Sequence, residues 1–447
     1  MNGKCQAAQT NRPMSQRWKR GFACLLHLLQ GSRWAAVCCI AICVGAPGVV
    51  AAIQPSFAPS QTLPMPSHPR AIAIADLDAD GRKDLVLATR FYFDPANDYK
   101  LFVFFQNPDG TLAAPLKLDG GNGNSVAVGD VNGDGLPDLV TTFDDGIGVR
   151  YGLGGRQFGP MVKFPTASPM DLVQVADLSS DVRQDIVAID WASANMAVFY
   201  QIPGGNLAPA AYVPAPHGGW NDLKVADMNR DGRLDVVISS MQAAPGTQTV
   251  ILLQRADGTF DAPRLPGYIF GPFAPQGIGL VDVDGDGATD IVATQAWNTP
   301  EARLILLFNR GLSFSTTELV PSYDSPQPVQ IGDVDLDGLP DVIVAHGGWL
   351  RAGVYTRRAS GGLDPEVLFE IPYYDFGPQG LATGDLNGDG RPDLVFAGPD
   401  GLTILYNTTP FPPTPTSTAI PVFTPWGLLT LVLAMAGAFR VAMRLRE

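Results

Sequence analysis

The chain has 447 residues, 46% hydrophobic and 17% charged, and a net charge of −14. This is enough apolar sequence for a sizeable core, and an acidic balance without a basic patch argues against nucleic-acid binding. All five cysteines (Cys5, Cys24, Cys38, Cys39, Cys43) lie in the first 52 residues, so the remainder has no disulfide framework.

Residues 1–33 carry Lys4, Arg12, Arg17, Lys19, Arg20 and Arg33 and no acid. An apolar run from Trp34 to Ala52 follows, broken late by Gly45, Pro47 and Gly48. Val50 and Ala52 fit the small-residue cleavage pattern, so 1–52 reads as a signal peptide and Ile53 as the mature start. An uncleaved anchor is the alternative. No lipobox precedes any of the cysteines, which argues against a lipoprotein.

From Asp76 onward one nine-residue acidic loop recurs seven times, at spacings of 54, 47, 50, 55, 51 and 52 residues. A fixed period of this size signals a solenoid, propeller or array. The loops supply Asp76, Asp78, Asp80 and Asp84; Asp130, Asn132, Asp134 and Asp138; Asp177, Ser179, Asp181 and Asp185; Asp227, Asn229, Asp231 and Asp235; Asp282, Asp284, Asp286 and Asp290; Asp333, Asp335, Asp337 and Asp341; and Asp385, Asn387, Asp389 and Asp393. These are loop positions 1, 3, 5 and 9. They put hard oxygen donors on one small sphere, which suits Ca²⁺ better than Mg²⁺. Position 6 is Gly in six copies, where a sharp turn needs φ > 0. An EF-hand would place Glu at position 12 and open a helix. Here a β-branched run follows instead, such as LVLAT, VVISS or VIVAH, and this also disfavours a dockerin. Loops 1, 5 and 6 have four carboxylates each and are expected to bind most tightly, because affinity rises with ligand charge. Loop 3 has Ser179 at position 3 and Val182 at position 6, a strained choice for a β-branched residue, so it is expected to bind weakly or not at all. About six Ca²⁺ sites follow. The loops hold more than half of the 44 acidic residues, so the acidity reads as metal ligation.

Each period also contains an alternating strand before the loop, a buried strand after it, a third strand such as LFVFFQ or ARLILLF, and an edge strand ending in Pro. Pro suits an edge because it has no amide to donate. Four antiparallel strands in about fifty residues make a propeller blade. The seventh period stops after its third strand, and residues 56–64 carry the missing edge pattern at the other end of the chain. The expected fold is all-β, a seven-bladed β-propeller over 53–407 whose N-terminal strand completes the last blade. An open array of separate modules is the alternative.

On these motifs the chain resembles the FG-GAP/VCBS repeat family over about residues 54 to 408. This group of calcium-loop propellers includes integrin α-subunit heads and many bacterial surface proteins. The resemblance implies calcium in the hairpin between the first and second strands of each blade, in a mainly structural role, and it implies no one activity.

After the last blade comes a Pro/Thr-rich spacer, 408–419, expected to be extended. Residues 420–447 then begin Ile-Pro, contain Trp426-Gly427 and an apolar stretch to Phe439, and end with Arg440, Arg444 and Arg446. This span is long enough to cross a bilayer, and its arginines place the C-terminus in the cytoplasm. It resembles the IPTL-type sorting tails of Gram-negative bacteria, departing from their Thr-Leu at Val422-Phe423. The resemblance implies a sorting protease as partner; a permanent anchor is the plain alternative. Either way the propeller is exported and tethered beyond the inner membrane or carried to the cell surface.

For chemistry, the sequence offers no Gly-x-Ser-x-Gly elbow, HExxH or phosphate loop, and His68, His217 and His346 are the only histidines after the signal segment. Trp191, Trp297 and Trp349 fall in connections between second and third strands and Trp220 in the connection entering blade 4, on the face opposite the acidic loops together with Phe91, Tyr92, Phe93, Tyr373 and Tyr374. Aromatics on the loops of a rigid scaffold make binding surfaces, for a glycan or a protein ligand; capping of the blade cores is the competing use. The expected function is a binding or adhesion module, with a carbohydrate-active enzyme on a propeller scaffold as the alternative.

Overall fold

The computed structural model describes residues 53–190, 194–215, 219–240, 246–268, 270, 275–295, 298–347, 350–372, 377–399 and 401–412. Residues 1–52, where the signal peptide is expected, and the tail from residue 413 on lie outside the described residues. Among the described residues there is no helix, and hence none long and apolar enough to cross a membrane.

The described chain is all-β and forms seven blades. Their first three strands are Pro69–Ala75, Asp84–Thr89 and Lys100–Phe104 (blade 1); Val126–Gly129, Asp138–Phe143 and Gly146–Arg150 (blade 2); and Leu172–Ala176, Asp185–Ile189 and Asn195–Phe199 (blade 3). Blade 4 has Trp220–Ala226, Asp235–Ser240 and Thr249–Leu252, and blade 5 has Ile278–Val281, Asp290–Gln295 and Arg303–Phe308. Blade 6 has Pro326–Gly332, Asp341–His346 and Arg351–Tyr355, and blade 7 has Leu381–Gly384, Asp393–Gly398 and Gly401–Leu405. All pairings are antiparallel.

The edge strands differ. Blades 1, 2, 3, 5 and 6 use Leu116–Asp119, Val162–Pro165, Ala211–Pro214, Thr316–Pro321 and Val367–Glu370. In blade 4 the expected edge shrinks to one bridge, Ile251 with Arg264, because Pro263 and Pro266 flank it and neither can donate an amide. Blade 7 takes its edge from the start of the chain: Gln61 to Pro64 pair with Ile404 to Gly401. Phe57 bridges Asn407, and Thr408 N donates to Ser56 O at 2.8 Å. Gly401 is essential to this closure, since a Cβ there would meet Leu63 O at 2.3 Å. The ring contacts run two residues into the expected spacer: Thr409 is buried and its Oγ1 donates to Val334 O of blade 6 at 3.1 Å.

Second strands are buried along their length in blades 1, 3, 4, 6 and 7. This is why their sequences are continuous β-branched runs rather than alternating ones. The core is divided among seven apolar clusters, each between two neighbouring blades. The cluster joining blades 7 and 1 packs Leu402 and Val395 against Leu85 and Phe102, so ring closure buries apolar surface as well as pairing an edge.

Between the third and fourth strands the chain makes a short hairpin that the sequence reading missed. It is two-stranded in blades 2 and 3 and reduced to a single bridge in blades 1, 4 and 6. These hairpins lie at the acidic-loop end of the sheet and lean on the loop of the preceding blade. A Cβ on Gly110 would strike Asn387 O, and one on Gly205 would strike Asn132 O.

Candidate metal centres in the acidic loops

Each loop is built by its own side chains before any metal is considered. The position-1 carboxylate accepts the position-6 amide in all seven copies, from Gly81 to Asp76 at 2.8 Å through Gly390 to Asp385 at 2.8 Å. Loop 3 is included, with Val182 N on Asp177 at 2.9 Å. Two residues per loop take positive φ: position 6 and also position 4. Position 4 is Gly in loops 2, 5 and 7, but Ala79, Ser180, Arg230 and Leu336 elsewhere. Val182 adopts φ 73° and is 93% exposed.

Position 9 has a second task. Asp84, Asp138, Asp185, Asp235, Asp290, Asp341 and Asp393 are all fully buried. One oxygen of each accepts the amide of loop position 2, as in Leu77 N to Asp84 at 2.8 Å. The other accepts the amide just beyond the third strand, as in Gln106 N to Asp84 at 2.8 Å. The carboxylate clips the loop to its own blade. Burial pushes Asp84, Asp138, Asp185, Asp235, Asp290 and Asp341 up to about 6 and Asp393 up to about 7. The sequence carried a signal for this role: position 9 stays Asp even in loop 3, where two other loop residues have changed.

Positions 1, 3 and 9 converge in loops 1, 5 and 6. Oxygens of Asp76, Asp78 and Asp84, of Asp282, Asp284 and Asp290, and of Asp333, Asp335 and Asp341 lie within 4.8 Å of one another in each group. Such groups can hold a metal ion. Asp78 Oδ1 is buried with no hydrogen-bond partner, as an oxygen reserved for a cation would be. In loops 2, 4 and 7 the Asn at position 3 donates its Nδ2 to position 5, at 2.9, 2.8 and 3.3 Å for Asn132, Asn229 and Asn387.

The three carboxylate-rich loops are not equivalent. In loop 1, Arg156 from the blade 2 hairpin reaches Asp78 Oδ2 at 2.7 Å, and Arg82 pairs with Asp80. In loop 5, Arg310 pairs with Asp284 and Asp286, and Arg230 of loop 4 reaches Asp286 Oδ1 at 2.7 Å. Burial tends to raise Asp284, but the Arg310 hydrogen bond, the Asp286 amide and the charges of Arg310 and Arg357 together outweigh it and hold the group below its usual range. Loop 6 has no arginine or lysine ion-paired to it among the described residues. Burial and the neighbouring charge of Asp341 push Asp335 up to about 7 there. Arg82 lies within loop 1 itself, but sequence inspection missed Arg156, Arg230 and Arg310 because they come from other parts of the chain.

On the opposite face, Trp220 opens the first strand of blade 4, opposite Ser240. Trp191, Trp297, Trp349, His217, Tyr373 and Tyr374 lie outside the described residues. The connection after blade 1's second strand is described, and it exposes Phe91, Tyr92, Phe93 and Tyr99. Phe93 is 85% exposed at φ 61°. Phe91 packs on Phe93 with centroids 4.7 Å apart. Asp98 braces the loop, accepting Asp94 N at 3.0 Å and the Ser67 hydroxyl at 2.5 Å. His346 is fully buried, with Nδ1 2.9 Å from Asp324 O and Nε2 2.8 Å from Glu366.

The FG-GAP-like repeat family model matches residues 76–141, 144–238, 282–344 and 333–396. Among curated proteins the chain is similar to integrin alpha-V of Gallus gallus, 26% identical over 253 residues, covering 53% of this chain and 21% of that protein. It is also similar to phosphatidylinositol-glycan-specific phospholipase D of Homo sapiens, 23% identical over 378 residues, covering 74% of this chain and 42% of that protein. The chain therefore spans less than half the length of either relative. Among solved structures, an Agrocybe aegerita lectin with specific recognition of non-reducing terminal N-acetylglucosamine has the same kind of fold. Its TM-score is 0.52 at 18% identity, over 75% of this chain and 86% of that one.

Proposed function

The chain belongs to the FG-GAP-like repeat family, and from that premise we propose that it is an exported, envelope-tethered, calcium-stabilised propeller that serves as a binding or adhesion module. The observation that carries the metal part is loop 6. Three carboxylates, Asp333, Asp335 and Asp341, meet there without a basic partner among the described residues, and burial together with neighbouring carboxylate charge raises Asp335 to about 7 and Asp341 to about 6. A divalent cation relieves both costs. Asp333, Asp335, Asp337 and Asp341 would hold it, with the corresponding sets in loops 1 and 5 and the Asn-containing sets in loops 2, 4 and 7; bound calcium supplies charge neutralisation and a cross-link between loop and blade.

The binding part is supported by the braced aromatic cluster Phe91, Tyr92, Phe93 and Tyr99 on the face away from the loops. Flat rings on a rigid loop suit stacking on a glycan or packing against a protein ligand. The enzyme alternative is weakened at its best candidate, since both ring nitrogens of His346 are already engaged inside the protein. Export through segment 1–52, tethering through 420–447 and processing by a sorting protease complete the reading.

Two measurements test it. The melting temperature should fall in excess chelator, and an unchanged melt removes the metal. Retention on immobilised polysaccharides without product release, weakened by Phe93→Ala, Trp297→Ala or Trp349→Ala, supports the binding module; product release abolished by His346→Ala replaces it with an enzyme.

A further inference from the structure

Loop 5 differs from the other acidic loops in what lies beside it. A cavity of about 250 Å³ separates it from loop 4 and the blade 5 hairpin, and Arg230, Arg310 and Asp286 line it. Both arginines are brought there by backbone geometry. Arg230 occupies position 4 of loop 4 at φ 62°, where three other loops have Gly. Arg310 starts the blade 5 hairpin, with its amide on Ser313 O at 3.0 Å and its guanidinium 5.6 Å from the Phe308 ring. Arg230 Nη2 donates to Asp286 Oδ1 at 2.7 Å and Asp286 O at 3.0 Å, while Arg310 Nη1 reaches Asp286 Oδ2 at 2.5 Å and its Nη2 pairs with Asp284. A third guanidinium, Arg357, lies 4.0 Å from Asp282.

The charge balance of this cluster changes sign with metal. Four carboxylates face three guanidinium groups, so the cluster is net negative alone and net positive with a divalent cation. The ion would draw on Asp284 and Asp286, the same two carboxylates that hold Arg230 and Arg310. These pairs are partly exposed, with arginine side chains 51% and 41% accessible, so they are weak and yield readily. What remains is a pair of guanidiniums at the rim of a cavity beside a metal. Forked guanidinium donors match the geometry of carboxylate and sulfate.

We propose that Arg230 and Arg310 form a metal-dependent oxyanion site between loops 4 and 5, which takes a carboxylate or sulfate group, free or carried on an anionic polysaccharide, when a divalent cation fills loop 5. The inference rests on the metal reading of the loops given above. It has a thermodynamic signature, because coupling between two ligands is reciprocal: the anion must tighten calcium binding by the factor by which calcium tightens anion binding. It also separates loop 5 from loop 6, which has four carboxylates and no such arginines.

The test is calorimetry on the full-length chain with calcium and with inorganic sulfate, each titrated with and without the other. The Asp284→Ala protein identifies the loop 5 share of the calcium isotherm. Sulfate is expected to bind at least tenfold tighter in calcium than in chelator, with the same factor appearing in the loop 5 calcium affinity. The coupling should vanish in the Arg230→Gln/Arg310→Gln protein. Arg310→Gln alone, in anion-free buffer, should raise loop 5 calcium affinity severalfold, because a competing cation is gone. Calcium binding with sulfate affinity unchanged overturns the proposal and leaves the metal reading standing, as does weaker calcium binding in Arg310→Gln. No calcium heat in any loop removes both. Repeating the titration with a sulfated polysaccharide and its desulfated form separates the sources: coupling with the polymer assigns the site to a surface glycan, and coupling with free sulfate alone assigns it to a small ion.

Discussion

Loops 3 and 6 share one backbone and differ in almost everything a metal would notice. Both fold their first carboxylate over the position-6 amide, at 2.9 and 3.0 Å, and both clip loop to blade with a buried ninth residue, Asp185 or Asp341. Yet loop 6 brings Asp333, Asp335 and Asp341 together, whereas loop 3 has Ser179 in the place of Asp335 and pairs Asp181 with Arg183. The shape of the loop is therefore set by positions 1 and 9 through hydrogen bonds. Capacity for a cation is set separately, by positions 3 and 5 and by whatever arginine reaches them.

The sharpest way to break this comparison is to remove the clip. Asp185→Ala and Asp341→Ala each strand buried amides, which should cost about 2–5 kcal/mol in denaturant melts in chelator. Equal losses are expected, and a harmless Asp185→Ala would show that the ninth residue matters only as a metal ligand. Metal addition should separate the two loops. At a hundredfold excess over Kd a single site adds about 2.7 kcal/mol; Asp335→Asn should remove much of the calcium-induced rise in Tm, and Ser179→Ala should leave it intact.

Acidity offers a third cut. Unfolded aspartates titrate at about 3.9, while burial, and in loop 6 the neighbouring carboxylates, hold Asp341 at about 6 and Asp335 at about 7 in the metal-free fold. The folded state thus takes up more protons than the unfolded state between these values. In chelator, stability should rise as pH drops from 7.5 towards 5, and the increment from calcium should shrink over the same range as protons displace the ion. A metal-free Tm that falls on mild acidification contradicts the uncompensated loop. The smallest effect belongs to loop 3. Val182→Gly relieves a β-branched residue at φ 73° and should stabilise the protein by about 1 kcal/mol, with no change in calcium response.

Much of this was legible in the linear sequence, for definable reasons. A period of about fifty residues, acidic loops opening into β-branched runs and a missing edge strand at residue 406 together specified blades, their number and the ring. Local chemistry alone dictates these features, since a strand buried on both faces must be apolar and a sharp turn favours glycine. The vestigial edge of blade 4 was harder to read because two prolines fit an edge strand as well as they fit none.

Tertiary structure decided the rest, because the deciding partners are distant in the chain. Asp84 meets Gln106 N across 22 residues, Arg156 reaches Asp78 across 78, and Arg230 reaches Asp286 across 56. Counting carboxylates made loops 1, 5 and 6 equal. Only the fold, by setting the blade 2 hairpin beside loop 1 and the blade 5 hairpin and loop 4 beside loop 5, distributed counter-charges to two of them and left the third exposed to its own repulsion. Position 4 was hidden likewise, since a left-handed Arg or Leu has no sequence mark until the turn around it is closed.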